Sequence, residues 1–462
     1  MQEVKIVAVT KEVSTEVNKE ELRKEMQTFS GKAAGVCYMP DDYLDEGIQN
    51  EEKALARALG NSKSGHHSVY DHSHLSLMIK TNKMMAMILN SLGVYTTSEK
   101  SARYTKMKPE TELELTLYNK WREKIQQAIL NKYPDIDDTM LSKRLCKAIG
   151  IEESNAVING SVSHIKSDEF LEEELNKLKK SDTLPSYKLA QENARYMISV
   201  FTPTTMMYTI SFRQLNLIVD YLYKLHVNCK HATDSFSKKL DTYVVELFNE
   251  FEKVLGENVL HDNKNQHIRF LEAQHVGELI GNTNREFEPY SDLEARLKAK
   301  KQVYGDSYTA VYYGSLAMLA QEQRHRTIRY TMKLQETDLS FYIPEIVKDA
   351  GLSDEWLDDI QSVSYCFPQG TLVRITEQGV FEDFALKCKE RLCGRAQLEI
   401  MKQTVETAGK FIENKDNLSY ENRKLLESMV SEDKIQPRCK FSDFRCSEGC
   451  NWGPAEAFTR LI

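Results

Sequence analysis

A strand-then-helix pattern that occurs twice is what most restricts the folds open to this chain. Residues 75–80, LSLMIK, alternate apolar and polar as a half-buried strand does, and a helical run from Met84 to Leu92 follows and ends at Gly93. Residues 308–313, YTAVYY, read as a second such strand, followed by a helix from Ser315 that ends in the basic triplet Arg324, His325 and Arg326. The two pairs stand 233 residues apart. A later element also recurs. TTMMYTISF at 204–212 precedes an amphipathic helix with Leu215, Ile218, Val219, Leu222 and Leu225 on one face. CFPQGTLVRIT precedes a helix through Phe384, Cys388, Arg391, Leu392, Arg395, Ala396 and Ile400, at an offset of 169. The smaller second offset places about 64 extra residues in the first copy. They fall most naturally within about 105–190, where runs such as EEELNKLKKSD read as a solvated helical insertion.

Size agrees with two copies. A chain of 462 residues exceeds one ordinary core, and the repeat divides it into a first copy at 1–258 and a second at 259–462 with a cysteine-containing tail. A net charge of −8 argues against a broad nucleic-acid surface, so any phosphate recognition is expected to be local. No run approaches the 18 or so apolar residues of a membrane span, and MQEVKIVAVT alternates like a strand rather than a signal segment. A cytoplasmic protein with reduced thiols is expected, its nine cysteines being odd in number and irregularly spaced.

Three separated stretches read as parts of one signature. Gln321 to Arg326 is QEQRHR, but the position after the seven residues that follow the triplet is Leu334 rather than Ser; Ser101, Ala102, Arg103 and Tyr104 supply a Ser-x-Arg-Tyr, but the triplet positions before them are Ser91, Leu92 and Gly93. Together they resemble the Arg-His-Arg, seven residues, Ser-x-Arg pattern of the flavin-dependent thymidylate synthases, divided between the copies. GHHSVYDH at 65–72 resembles that family's GHxSxxEH segment, with Asp71 for Glu. Arg195 matches a nucleotide-binding arginine, with Ser364 in the second copy. Arg391 resembles the uracil-activating arginine that precedes Ala-Gln-x-Glu-Ile, with Leu222 in the first copy. The spacing from Arg195 to Leu222 equals that from Ser364 to Arg391, namely 27.

The resemblance implies an α/β (α+β) fold like that of the thymidylate synthase complementing proteins: two related units, each a mostly antiparallel sheet flanked by helices. Family members are homotetramers with sites between subunits, so a fused chain is expected to pair with a second copy as a homodimer, forming a pseudo-tetramer. Each copy can then lose what the other keeps. The implied activity is FAD-dependent methylation of dUMP to dTMP, with methylenetetrahydrofolate and NADPH as co-substrates. Gln321, Arg324, Glu99, Ser101, Ala102, Arg103 and Arg195 are the implied dUMP ligands, forked guanidinium groups suiting phosphate and uracil. Arg391 is the implied catalytic residue, stabilising negative charge as the ring becomes nucleophilic. FAD is assigned Arg324, His325, Arg326, Glu99, Ser68, His66 and Arg213. The partners expected are therefore a nucleotide and a folate, with neither nucleic acid nor membrane.

Departures from the pattern leave a second reading open: a catalytically altered or inactive pyrimidine-nucleotide-binding paralogue, or one that makes another C5 one-carbon product. The family's Asn-x-Arg segment is Ser211, Phe212, Arg213 in one copy and Val380, Phe381, Glu382 in the other, and Arg395 stands where a His is common. No metal is expected. The histidines at 66, 67, 72 and 74 lack a ligand spacing, and Cys439, Cys446 and Cys450 have no fourth ligand near them in sequence.

Overall fold

The computed structural model describes residues 18–38, 50–64, 67–101, 105, 107–149, 168–254, 306–334, 339–444, 446, 450 and 452–462. The N-terminal strand expectation, His66, Ala102 and Arg103 lie outside these. The main elements in chain order are α1 (Lys19–Tyr38), α2 (Glu51–Ser64), β1 (His74–Asn82), α3 (Lys83–Leu89), β2 (Thr96–Glu99) and α4 (Glu112–Lys132). Then come α5 (Pro185–Ala194), β3 (Pro203–Ser211), α6 (Phe212–His231) and α7 (Ser235–Glu252). After these follow β4 (Ser307–Ser315), α8 (Leu316–Glu322), β5 (Arg329–Lys333), α9 (Ser353–Ser362), β6 (Leu372–Val380), α10 (Phe381–Arg391) and α11 (Leu398–Glu413).

The chain divides into two compact units, 1–100 with 204–282, and 101–203 with 283–462. In the first, a three-stranded sheet has the order β1-β3-β2. The expected face of α6 is its buried face, Leu215, Ile218, Val219, Leu222 and Leu225 all lying in the core. Ser211 starts this helix by accepting the Gln214 N–H, and Asp234 starts α7 by accepting that of Ser237. After α3 the chain turns back at Gly93, whose φ of +61° and closeness to the Gln214 side chain leave no room for a Cβ.

The second unit repeats this plan. Its sheet has the order β4-β6-β5, again with the latest strand central. The starts of β1, α3 and β2 recur 233 residues later as β4, α8 and β5, and those of β3 and α6 recur 169 later as β6 and α10. Register follows: Thr96 faces Thr209 and Arg329 faces Gln378, the same pair at the same two offsets. So does a strand-closing bond, Phe212 N–H to Ser73 C=O in one unit and Phe381 N–H to Asp306 C=O in the other, each at 2.8 Å.

The described residues of 105–190 are largely helical, and they are not simply a solvated surface. The 168–179 helix does expose Glu172, Glu173 and Lys177. By contrast α4 buries Leu117, Trp121, Ile125 and Ile129, a stripe at the spacing of one helix face, in the core of the second unit. Trp121 meets Trp356 of α9 edge-on at 4.8 Å. Glu114 closes a capping box with Thr111 and also accepts the Ser199 N–H at 2.7 Å, which ties the start of α4 to the bend before β3. The missed signal was this apolar period, masked by the charged residues between its members.

A buried charge cluster distinguishes the second unit's sheet. Lys387 of α10 donates to Glu322 at 2.9 Å and Glu377 at 2.7 Å, with all three side chains wholly buried. Tyr312 donates to both glutamates and Tyr308 to Glu377. At the matching offsets the first unit has Leu89, Tyr208 and Ile218, so the same framework is closed there without a buried ion. Burial pushes the Glu322 carboxyl up to about 7, the Lys387 ammonium opposing and Glu377 adding to the rise. A carboxyl held above its ordinary value binds its proton more tightly in the folded chain. Its stabilising contribution is therefore whole below 4.5, the ordinary value, and is lost as pH climbs to about 7. We expect the unfolding midpoint to fall across that window and Glu322→Gln to flatten the fall; an unchanged slope in the variant would place the titrating group elsewhere.

Candidate functional site

The second unit brings together residues far apart in sequence around the C-terminal ends of α8 and α10. Ser315 caps α8, its hydroxyl accepting the Met318 N–H, and this fixes the helix that carries Gln321. Glu399, buried at the start of α11, accepts from the Ser315 N–H at 2.8 Å, the Ser315 hydroxyl at 2.7 Å and the Tyr196 hydroxyl at 2.9 Å. Burial pushes its carboxyl up, against those hydrogen bonds. Gln397 donates to the Tyr196 oxygen at 2.6 Å. The loop before α11, the cap of α8 and the turn at 195–197 thus form one rigid frame.

Arg195 leaves that turn almost fully buried, 3% exposed, its guanidinium 5.9 Å from the Tyr196 ring. With its amide oxygen turned towards Arg195, Gln321 accepts from Nη2 at 2.6 Å and Nη1 at 3.3 Å. Arg195 Nε is buried with no hydrogen-bond partner among the described residues. Such a donor is costly unless something else receives it.

Arg391 reaches the same place from the end of α10. Its Nε donates to His325 Nε2 at 2.7 Å and its Nη2 to the Gln321 carbonyl at 3.3 Å. Burial, and then the Arg391 and Lys387 charges, push the His325 imidazole down to about 2. The ring is neutral and its Nε2 is an acceptor, so the proton sits on Nδ1. Arg391 keeps its charge beside a partner that does not repel it.

The triplet therefore divides. His325 turns inward to Arg391, whereas Arg324 and Arg326 are exposed on either side of it. Of the other residues singled out in the sequence, Ser101 is half-buried, and its carbonyl accepts from Thr105 N–H and hydroxyl. In the first unit, Glu99 pairs with Lys83 and accepts from Thr204 at 3.3 Å. Ser68 is exposed in the 67–71 turn. Asp71 of that turn accepts from Ser211 and from Arg213, each at 2.8 Å, so the divergent Asp and Ser of the two motifs are partners.

Three residues of the frame were missed as site residues: Tyr196, Gln397 and Glu399. Gln397 and Glu399 stand in the Ala-Gln-x-Glu-Ile stretch already quoted, so their signal was present. Tyr196 looked like any core aromatic. Beside the frame lies a cavity of about 320 Å³, lined among others by Glu192, Asn193, Tyr342, Arg395 and Trp452 as well as Tyr196, Gln397 and Glu399. That is the lower range of small-ligand sites. No helix among the described residues is long and apolar enough to cross a membrane. Residues 21–234 match the family model described as Thy1, thymidylate synthase complementing protein. No curated protein matches the chain.

Proposed function

We propose that this chain, whose residues 21–234 belong to the Thy1 family of thymidylate synthase complementing proteins, methylates dUMP to dTMP in a flavin-dependent reaction. Methylenetetrahydrofolate is the one-carbon donor and NADPH the reductant. The observation that carries this reading is the joining of Arg391 and Arg195 through Gln321, next to a histidine that is kept neutral. Two arginines at one mostly buried place need an anionic or strongly polar ligand, and a uracil nucleotide offers both phosphate and carbonyl acceptors. Arg391 stabilises the negative charge that builds on the uracil as C5 becomes nucleophilic, so no protein nucleophile is required. His325 holds the Arg391 fork in plane, and Gln321 and Arg195 orient the nucleotide. The family pattern assigns Arg324, Glu99, Ser101, Ala102 and Arg103 to the same nucleotide.

The donor chemistry present suits FAD. Arg324 and Arg326 present exposed guanidinium groups for a pyrophosphate, Ser68 is exposed, and Arg213 and Ser211 both donate to Asp71. These residues, with Glu99, His325 and His66 on the family pattern, would hold the cofactor. When bound, the flavin supplies the hydride that completes the methyl group. Matching strand order, offsets and register support a tandem duplication, with first and second copies at 1–258 and 259–462. Two such chains would form the pseudo-tetramer of a family built from single copies. A reduced, cytoplasmic setting suits the eight cysteines described, none of which is in a disulfide.

The test is spectroscopic. Purified protein is expected to show flavin absorbance that bleaches with NADPH and returns on adding methylenetetrahydrofolate with dUMP, giving dTMP. Tight dUMP binding without reoxidation would instead identify the inactive paralogue. A different C5 product, found by mass, would identify the altered one.

A further inference from the structure

The tail motif that lacked a fourth ligand in sequence acquires one in the fold. Cys393 lies two residues past α10, buried, 46 positions before Cys439. The Arg438 N–H donates to the Leu392 carbonyl at 2.7 Å, which joins the residue before Cys439 to the residue before Cys393. Arg438 also donates to the Lys389 carbonyl at 3.2 Å, and Lys389 pairs with Asp443, so the 438–443 segment is tied to the last turn of α10. Cys450 comes from further along: a Cβ placed on Gly394 would meet its Sγ at 3.2 Å and the Trp452 ring at 3.0 Å. The Cys439 thiol is within electrostatic reach of all three others, Cys393, Cys446 and Cys450. The backbone N–H of Arg395 is directed at Cys393 Sγ at 3.4 Å.

We propose that Cys393, Cys439, Cys446 and Cys450 form a structural zinc site that clamps the tail onto the loop following Arg391. Four thiolates and no open position are the donor set of a closed, non-catalytic Zn²⁺ centre. On binding, four thiol protons leave, and Zn²⁺ with four thiolates forms a centre of net charge −2, with no change of oxidation state. Arg395, Arg438 and Lys440 beside these cysteines in sequence offset that charge. Among the described residues no three of these sulphurs lie within 4.8 Å of one another. Zn–S bonds of about 2.3 Å would draw them to about 3.8 Å apart, so the ion supplies the final closure. The group that does meet that distance, Glu110, Glu114 and Cys366, is a weaker candidate because Glu114 is already taken by its capping box and by Ser199.

The site is tested on the full chain purified under reducing conditions after reconstitution with Zn²⁺ and removal of excess. Elemental analysis is expected to find one zinc per chain. Cys439→Ala and Cys393→Ala are expected to lose it, and Cys229→Ala to keep it. Cobalt substitution is expected to give the thiolate-to-metal absorption of a tetrahedral site. Where an alanine variant fails to fold, a mercurial titration of wild-type protein serves instead: zinc is released as four of the nine cysteines react. A wild-type chain that retains no zinc, iron in its place, or a Cys393→Ala variant with full zinc content would overturn the assignment.

Discussion

Lys387→Met is expected to destabilise the second unit by about 3–5 kcal/mol, because it leaves Glu322 and Glu377 buried without their cation. All three tryptophans, Trp121, Trp356 and Trp452, belong to that unit, so the denaturant transition followed by their fluorescence reads it directly. The first unit suggests the control. Replacing the cluster by its counterparts there, Glu322→Leu, Glu377→Tyr and Lys387→Ile together, removes the charges as a set. That triple variant is expected to be more stable than Lys387→Met alone. It should not fully recover wild-type stability, since Tyr308 and Tyr312 lose the carboxylates that accept their hydroxyls. A loss below about 1 kcal/mol for the single variant, or a triple variant worse than it, would show that the cluster is not an obligate ionic unit.

The second large effect is on turnover. Arg391→Ala is expected to lower kcat by at least about 10²-fold, the scale of losing one preorganised charge-stabilising donor. Arg391→Lys should recover little, because an ammonium cannot make the forked contacts to His325 and Gln321 at once. Flavin absorbance and the thermal midpoint separate this from misfolding: both are expected to stay near wild type while turnover is lost. Retention of near-normal kcat in Arg391→Ala would remove the proposed chemistry. Mixing Arg391→Ala with Arg103→Ala adds the quaternary answer, since recovered activity requires sites shared between chains and its absence requires sites completed within one.

Much of the framework was legible before any coordinates. The offsets of 233 and 169 are set by strand and helix periodicity, which local residue order dictates, and the sheets follow them down to register. The apolar face of α6 could be read for the same reason. Less legible was where residues 101–203 belong. The charged runs within about 105–190 suggested an insertion standing in solvent, but the Trp121 stripe needs a partner, and which core supplies it depends on packing rather than on the period itself.

Sequence by itself determined the repeated strand-and-helix order and the match to the family signature, and it singled out Arg195, Gln321, His325 and Arg391 as candidates. Only the tertiary structure decided that His325 faces Arg391 instead of solvent, that a lysine on α10 is a core residue, and that Cys393 comes within electrostatic reach of Cys439 in the tail. The physical reason is common to all three. Periodicity tells which face of an element is buried, whereas charge state, hydrogen-bond partner and ligand set depend on which distant residues share that burial.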